Sequence, residues 1–154
     1  MVTINTAIMG ELSINEEQIL TFPEGIPGFA DYRRFVILSI EPELPFAYLQ
    51  SMDEGLIHFV IANPFQIVPT YDIQIDEETQ RTLDIQSVEE VEVWNILTMR
   101  DSFENVTVNL LAPVILNSRN GIGKQVVLHQ SGYTTRHLLS DLMSSMDDHT
   151  ETKG

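Results

Sequence analysis

The stretch FVILSIEPELPFAYLQSMDEGLIHFVIA, residues 35–62, contains three apolar segments separated by short breaks rich in proline, acidic residues and glycine. The segments are FVILSI (35–40), FAYLQSM (46–52) and LIHFVIA (56–62). The first and third are nearly continuous apolar runs, which predicts strands with both faces covered. Short strands at this spacing, with turn signals between them, predict an antiparallel barrel or sandwich.

Period-two alternation predicts further strands outside this stretch. Val106, Val108 and Leu110 alternate with Thr107 and Asn109, as in a strand with one wet face. The other segments assigned as strands are 72–76, 91–99 and 125–129. Together they predict an all-β fold, a small antiparallel β-barrel-like domain with short helical turns.

Helical signals are few. Asp76 can cap a short helix through Leu83, and Ser87-Val-Glu-Glu90 has the form of a capping box, limited to one turn by the strand that follows. Near the end, one apolar stripe has helical spacing: Leu138, Leu139, Leu142, Met143 and Met146. This C-terminal amphipathic helix either packs on the barrel or offers its stripe to a partner. The prediction is a barrel-like domain, residues 1–137, and a helical extension, residues 138–154, that frays after residue 146.

Composition limits the class of protein. With 154 residues and 43% hydrophobic content, the chain fits one domain with a sizeable core. It has no cysteine, which excludes disulfides, zinc fingers and thiol catalysis. The N-terminus lacks the basic and apolar regions of a signal peptide, and no apolar stretch approaches the ~20 residues that span a bilayer. These features predict a cytoplasmic protein.

The charge is strongly negative. Lys and Arg number 8 and Asp and Glu 23, which gives a net charge of −15 and a pI near 4.3. Direct binding to nucleic acids or anionic membranes is disfavoured, because such binding neutralises phosphates with lysine and arginine. A basic protein partner is favoured, although acidic surfaces also serve solubility alone. Acids are densest between Asp72 and Glu104, where Arg81 and Arg100 are the opposing bases.

Two glycine-containing segments invite comparison with phosphate-binding loops. FPEGIPGF (22–29) lacks the following helix and spacing of such loops, so its prolines and glycines predict two successive tight turns. RNGIGK (119–124) lacks the first glycine and the terminal Ser or Thr of a P-loop, and Asn120-Gly121 predicts a type I′ hairpin turn instead. Neither segment predicts a phosphate site.

The sequence shows no catalytic or metal-binding constellation. The histidines, His58, His129, His137 and His149, form no HExxH motif and no close pair on one helical face. A GxSxG elbow and a distinctive carboxylate pair are also missing. We therefore expect no cofactor and no metal.

Several segments, in chain order, resemble those of the flagellar assembly factor FliW family. They are FPEGIPGF (22–29), FAYLQSM (46–52), ANPFQIVPTYDIQID (62–76), NLLAPVILN (109–117), GKQVVL (123–128) and the closing YTTRHL (133–138). The set extends over most of the chain. The chain departs from the family pattern after His137, where Leu138-Leu139 and a continuation to Gly154 replace a proline and an early end.

The resemblance implies a non-enzymatic β-barrel-like protein that binds flagellin in the cytoplasm. It also implies binding to CsrA, a basic RNA-binding dimer, which relieves repression of flagellin mRNA translation. For CsrA we predict contacts through the acids Glu77, Glu78, Glu89, Glu90 and Glu92. For flagellin, whose terminal segments are apolar, we predict contacts through Phe22, Ile26, Phe29, Leu142 and Met143.

Other classes of protein stay open. A nucleic-acid-binding barrel of the OB type would need basic residues interleaved with exposed aromatic residues, which this sequence lacks. A small-molecule-binding β-barrel, or another acidic protein-interaction module, would fit the composition. A concave pocket with convergent polar groups around His58 or His129 would favour the small-molecule alternative.

Overall fold

The chain folds into a closed β-barrel, as shown by a computed structural model that describes residues 1–99, 101–129 and 131–144. The strands are β1 (Val2–Thr6), β2 (Gly10–Ile14), β3 (Leu20–Thr21), β4 (Arg34–Ser39), β5 (Phe46–Ser51), β6 (His58–Ala62), β7 (Val91–Thr98), β8 (Thr107–Val108), β9 (Val114–Asn117), β10 (Ile122–Gln125) and β11 (His137–Leu138). Seven of these described strands close the ring in the order β7, β6, β5, β4, β3, β10, β9 and back to β7. Neighbours in the ring are antiparallel except β3 and β10, which are parallel. The predicted all-β, barrel-like fold is confirmed.

Helical segments are short. They are α1 (Pro64–Ile67), α2 (Glu77–Thr82), 3₁₀ turns at Glu16–Gln18, Val88–Glu90 and Phe103–Asn105, and residues 139–144. The predicted cap of α2 is confirmed, because the Asp76 carboxylate accepts the Thr79 backbone N–H at 2.8 Å. The helix ends at Thr82 with Leu83 as its C-cap. The next residue, Asp84, has a φ of 54° that lets the Ile85 N–H bond to the Gln80 carbonyl. The single turn predicted after Ser87 is also present as the 3₁₀ turn.

One hydrophobic cluster fills the barrel interior. Strand alternation decides its members: on β5, Ala47 and Leu49 belong to it, whereas Phe46 and Tyr48 lie on the outer face. The buried members are Phe22, Ile26, Phe35, Ala47, Leu49, Ile61, Val114 and Leu116. The rings of Phe22 and Phe35 meet edge to face with centroids 5.5 Å apart.

Two further clusters cover the outer face of the barrel. The β1–β2 hairpin packs Ile4 and Ile14 against Val36 and Met52. The second cluster, which we name the loop cluster, is built by the segments 63–85, 106–113 and 126–139 over β6, β7 and β9. Its buried members are Ala62, Ile67, Tyr71, Leu83, Val93, Leu97, Val106, Val108, Leu110, Ile115, Leu128 and Leu139. Strands β4 and β6 therefore carry apolar residues on both faces, as predicted.

A buried polar network ties the loop cluster to the barrel wall. The Tyr71 hydroxyl donates to the Leu110 carbonyl at 2.6 Å. The Asn95 side-chain amide donates to the Asn109 carbonyl at 2.7 Å and to the Tyr71 hydroxyl at 3.4 Å. Tyr71 is buried, and desolvation raises its pKa to about 12.

Replacing Tyr71 by phenylalanine is expected to lower the free energy of unfolding by about 1–2 kcal/mol, because the Leu110 carbonyl loses its buried donor. The wild type should also lose stability as the pH rises from the ordinary tyrosine pKa of 10.0 towards 12, since only unfolding frees the hydroxyl to ionise. The variant lacks that loss, so the difference between the proteins should shrink with pH. Urea unfolding of both proteins near neutral pH and at about pH 11 measures the difference in their free energies of unfolding. An equal difference at the two pH values would contradict the burial of the hydroxyl.

The connection 72–76 alternates in burial without forming a strand. Ile73 and Ile75 are half-buried against the loop cluster, while Asp72 and Gln74 are exposed. The predicted strand is therefore wrong, because no described strand pairs with this backbone although its side chains alternate. The strands predicted at 35–40, 46–52, 56–62 and 91–99 are present with shifted ends, and the strand predicted at 106–110 is confined to β8. The strand predicted at 125–129 is wrong except for Gln125, because β10 occupies Ile122–Gln125.

The β9–β10 hairpin has a loop at residues 118–121, after which Ile122 opens β10. Gly121 has a φ of 72°. A type I′ turn also needs a positive φ at Asn120, but among the described non-glycine residues a positive φ occurs at Asp84 alone. The hairpin is confirmed and the predicted turn type is wrong. Asn120 instead uses its side-chain oxygen to accept the Ile122 N–H at 3.0 Å.

Candidate protein-binding surfaces

Five predicted partner-binding acids lie on three elements that follow one another along the chain, α2, the 3₁₀ turn at Val88–Glu90 and β7. We refer to them together as the acidic surface: Glu77, Glu78, Glu89, Glu90 and Glu92. Glu77 and Glu78 occupy the first turn of α2, where the helix dipole favours negative charge. Glu89 is exposed in the 3₁₀ turn that precedes β7, and Glu92 accepts the indole N–H of Trp94 at 2.7 Å. Four of the five side chains are exposed and Glu90 is half-buried.

Arg119, from the β9–β10 hairpin, reaches into the acidic surface. Its guanidinium lies 3.0 Å from carboxylate oxygens of both Asp84 and Glu90. The Gln86 backbone N–H and this guanidinium hold the pKa of Glu90 below its ordinary value. The sequence pattern missed this cation because it is distant along the chain. The exposed negative charge of the surface therefore lies on its other four members.

Acidification should release the α2 cap. Hydrogen bonds from Thr79 hold the pKa of Asp76 below its ordinary value of 3.8, so the ionised cap stabilises the fold above that pH and is lost below it. Asparagine stabilises a helix N-terminus about as well as aspartate does, but its side chain does not titrate. Asp76→Asn is therefore expected to leave stability near neutral pH almost unchanged and to reduce the stability lost on acidification. Urea unfolding midpoints from about pH 5 down to about pH 2 measure this loss, which begins near the ordinary pKa. Parallel pH profiles of the two proteins would argue against the cap.

The loop 22–29 turns a corner against the barrel interior. The Gly25 N–H bonds to the Phe22 carbonyl at 2.8 Å and the Phe29 N–H to the Ile26 carbonyl at 2.6 Å, which confirms the two predicted turns. Phe22 and Ile26 are 0% and 2% exposed. Their predicted availability as surface contacts is wrong, because the side chains that shape the turns point into the core.

Phe29 is the member of this loop that reaches the surface. Its side chain is 38% exposed. The ring packs edge to face on Phe59 with centroids 5.2 Å apart, so it is held in place while one side faces solvent. Phe29 therefore stays a candidate partner contact.

The C-terminal stripe is divided between core and surface. Leu139 is buried in the loop cluster, and Leu142 is half-buried against it. Met143 is 38% exposed, and Met146 lies outside the described residues. The start of the helix thus packs on the barrel while Met143 is open to a partner. The division of the chain after residue 137 stays a prediction.

The loop 22–29 and the closing YTTRHL segment meet at one end of the barrel, which we name the barrel mouth. A cleft of about 320 Å³ there is lined by Ile26, Pro27, Phe59, Ile96, Thr98, Asn109, Gln125, Thr135 and Arg136. Arg136 and the Phe29–Phe59 pair therefore lie at the same end of the molecule. Sequence reasoning missed this juxtaposition, because residues 22–29 and 133–138 are more than 100 positions apart along the chain.

A second cleft lies beside His129. It has a volume of about 410 Å³ and is lined by Asp72, Ile73, Gln74, Leu128, His129, Ser131 and Tyr133. The volume falls in the range of small-molecule pockets, ~300–1,000 Å³, but those pockets are lined predominantly by apolar side chains. The cleft lies where the small-molecule alternative predicts one and carries convergent polar groups, but Ile73 and Leu128 are its only purely apolar lining residues. It therefore meets the predicted location and not the apolar lining, and that alternative stays open. His58 is exposed on β6 and packs against Tyr48.

Within residues 1–99, 101–129 and 131–144, no group of three or more His, Asp and Glu side chains could hold a metal ion. The helices of the same described ranges are all too short or too polar to span a membrane.

Together these features define a small closed β-barrel protein whose candidate sites are surface patches. A family profile described as FliW protein matches residues 3–139. The chain is 46% identical to the flagellar assembly factor FliW of Bacillus subtilis strain 168 over 134 residues, 87% of this chain and 94% of the relative. It is 44% identical to that of Bacillus pumilus strain SAFR-032 over 136 residues, 88% of this chain and 94% of the relative.

The structure agrees with the sequence match. A crystal structure of the flagellar assembly factor FliW aligns with a TM-score of 0.82 and 39% identity, covering 90% of this chain and 96% of that one. The chain belongs to the FliW family, whose relatives named above are flagellar assembly factors. The resemblance drawn from the sequence motifs is confirmed.

Proposed function

We propose that the protein is a non-enzymatic flagellar assembly factor that binds flagellin in the cytoplasm and antagonises the translational repressor CsrA. The observation that carries the proposal is the family match over residues 3–139, together with 46% identity to a relative named flagellar assembly factor. By binding CsrA, the protein relieves repression of flagellin mRNA translation.

The acidic surface supplies a mechanism for CsrA. A basic RNA-binding dimer is attracted to exposed carboxylates, and an acidic barrel docked beside its RNA site repels phosphates and excludes RNA by bulk. Two charges about 4 Å apart interact by only ~1 kcal/mol in water. Several acids must therefore act together, which the net charge of −15 and the four exposed glutamates of the acidic surface allow.

Flagellin requires a different surface, because apolar segments are covered by apolar contact area rather than by charge. Phe29 and Met143 are each 38% exposed and supply such area, with Leu142 half-buried behind Met143. Phe22 and Ile26 contribute indirectly, since they hold the loop against the core.

The proposal is tested by pull-down of the purified protein with flagellin and with CsrA, separately and in competition, across a salt series. Both proteins are expected to bind, and CsrA binding should weaken more steeply with salt, because its attraction is mainly electrostatic. Flagellin in excess should displace CsrA. Failure of both proteins to associate in solution would overturn the proposal.

The apolar contacts have a matched control. Phe29→Ser with Met143→Ser should weaken flagellin binding about tenfold and leave CsrA binding unchanged, because burying each large apolar side chain contributes roughly 1.5–3 kcal/mol at most. Leu56→Ser with Val127→Ser removes apolar side chains that are 73% and 54% exposed elsewhere. Equal losses of flagellin binding in the two double variants would argue against Phe29 and Met143 as contacts.

A further inference from the structure

An apolar groove on the outer wall of the barrel is left open between the covering elements. Its volume is about 210 Å³, and it is lined by Ile40, Phe46, Tyr48, Val60, Leu97, Met99, Val106 and Leu139. Seven of these side chains carry no nitrogen or oxygen, and the eighth adds the Tyr48 hydroxyl. The groove does not overlap the acidic surface or the lining of the barrel mouth.

Strand register explains why apolar residues converge there. Tyr48 on β5 pairs with Val60 on β6, and Val60 pairs with Leu97 on β7, so the three side chains form a row on the outer face. The β1–β2 hairpin covers Val36 on one side of this row, and the connections of the loop cluster cover Ala62 on the other. Neither element covers the row completely.

Exposure confirms that the groove is accessible. Met99 is 61% exposed at its edge. Ile40, Phe46, Tyr48 and Val60 are half-buried, although Phe46 and Val60 pack against the loop cluster. The exposed apolar side chains are therefore gathered in one place rather than scattered singly over the surface.

Acidic residues adjoin the lining residues along the chain, and we call them the rim of the groove. The segments 40–48, 97–106 and 136–144 supply all of the lining except Val60. They contain Glu41, Glu43, Asp101, Glu104 and Asp141, against the bases Arg100 and Arg136. All five acidic side chains are exposed. A groove of this kind is complementary to a segment that carries apolar side chains between lysines or arginines.

We infer that this groove binds a basic amphipathic α-helix of a partner protein, with two or three apolar side chains in the groove and lysine or arginine against the acidic rim. Its volume lies below the ~300–1,000 Å³ of small-molecule pockets, so it fits a few side chains of a larger partner. Helices bind to apolar grooves through side chains at i, i+3 or i+4, and i+7. The inference rests on the proposed function only in taking the protein to be a protein-binding module.

The test uses a labelled synthetic helix of about 18 residues, with leucine on one face and lysine on the other, and a counterpart with glutamate for lysine. Fluorescence anisotropy with the full chain should show binding of the lysine peptide and no binding of the glutamate peptide. Met99→Glu places a charge in the groove at a 61% exposed position and should weaken lysine-peptide binding at least tenfold. Leu56→Glu, at a 73% exposed position beyond the other end of β6, makes the same change in charge and should leave the affinity unchanged.

A second pair of variants tests the rim. Glu41→Lys with Glu43→Lys should weaken the lysine peptide, whereas Glu16→Lys with Glu17→Lys, exposed residues of the first 3₁₀ turn, should not. Equal affinities for the two peptides, or equal effects of the paired variants, would overturn the inference.

Two alternative occupants of the groove would each give a distinct experimental result. If sedimentation shows self-association of the wild type that Met99→Glu abolishes, a second copy occupies the groove and the inference is overturned. It is also overturned if truncation after residue 144 strengthens peptide binding, because the tail of the chain then occupies the groove. Peptide binding at the groove without association of flagellin or CsrA would leave this inference standing and reject the proposed function.

Discussion

Replacing Phe22 by alanine is expected to destabilise the protein by about 3–5 kcal/mol, the usual cost of deleting a buried aromatic side chain. Phe22 is 0% exposed, and its ring packs on Phe35 in the barrel interior. It follows β3, where the ring closes through the single parallel pair Ile122–Thr21. A cavity here would remove support from the weakest seam of the barrel. Gly123 lies at the same seam and leaves room for the Phe22 ring. A side chain there would clash, because its Cβ would lie 2.9 Å from that ring.

Urea or guanidinium unfolding followed by the fluorescence of Trp94, the single tryptophan, measures this loss. Phe29→Ala is the matched control from the same loop and should cost less than half as much, since Phe29 is 38% exposed. Similar losses for the two variants would contradict the inward orientation of Phe22. A small loss for Phe22→Ala would mean that the barrel interior repacks around the loop.

Reversing the exposed charges of the acidic surface, with Glu77→Lys, Glu78→Lys and Glu89→Lys together, is expected to weaken CsrA binding on the order of 100-fold at low salt. Electrostatic steering alone changes association rates by ~10 to 10³-fold. Glu90 is left unchanged because it pairs with Arg119, and Glu92 because it accepts the Trp94 indole N–H. These side chains have local structural partners, so their replacement would mix stability with binding.

The matched control is Glu11→Lys, Glu16→Lys and Glu17→Lys, three exposed acids on β2 and the first 3₁₀ turn. Both triple variants change the net charge equally, and only the location differs. Titration of CsrA across a salt series should show a lower affinity and a flatter salt dependence for the acidic-surface variant. Equal losses in both variants would mean that net charge, and not this surface, attracts CsrA.

The strands and the helix cap were predictable because their signals are local. Alternation and turn spacing placed β4 to β7, and the Asp76 cap needs only the backbone three residues ahead. The β1–β2 hairpin was missed, since its strands VTINT and GELSI carry few apolar residues and bury them only against Val36 and Met52. Alternation also predicts a strand at 72–76 that does not form, because side-chain alternation does not reveal whether a neighbouring backbone is available for pairing.

The candidate sites were less predictable, because they depend on contacts between segments that are distant along the chain. Apolar residues in a turn can serve either the core or a partner, and the sequence left Phe22, Ile26 and Phe29 equivalent. The tertiary structure buries the first two and exposes the third. Likewise the acids of the 72–104 segment could be counted, but the approach of Arg119 depends on how the β9–β10 hairpin folds across the barrel.

The sequence by itself determined the all-β class, the acidic character and the family, because composition, alternation and ordered motifs are properties of neighbouring residues. Only the tertiary structure decided which side chains face solvent, which distant segments share the barrel mouth, and where the groove between β5, β6 and β7 stays open. The physical reason is that the ring of strands closes. Closure brings residues that are distant along the chain to one wall, and it decides which face of each strand points to the barrel interior.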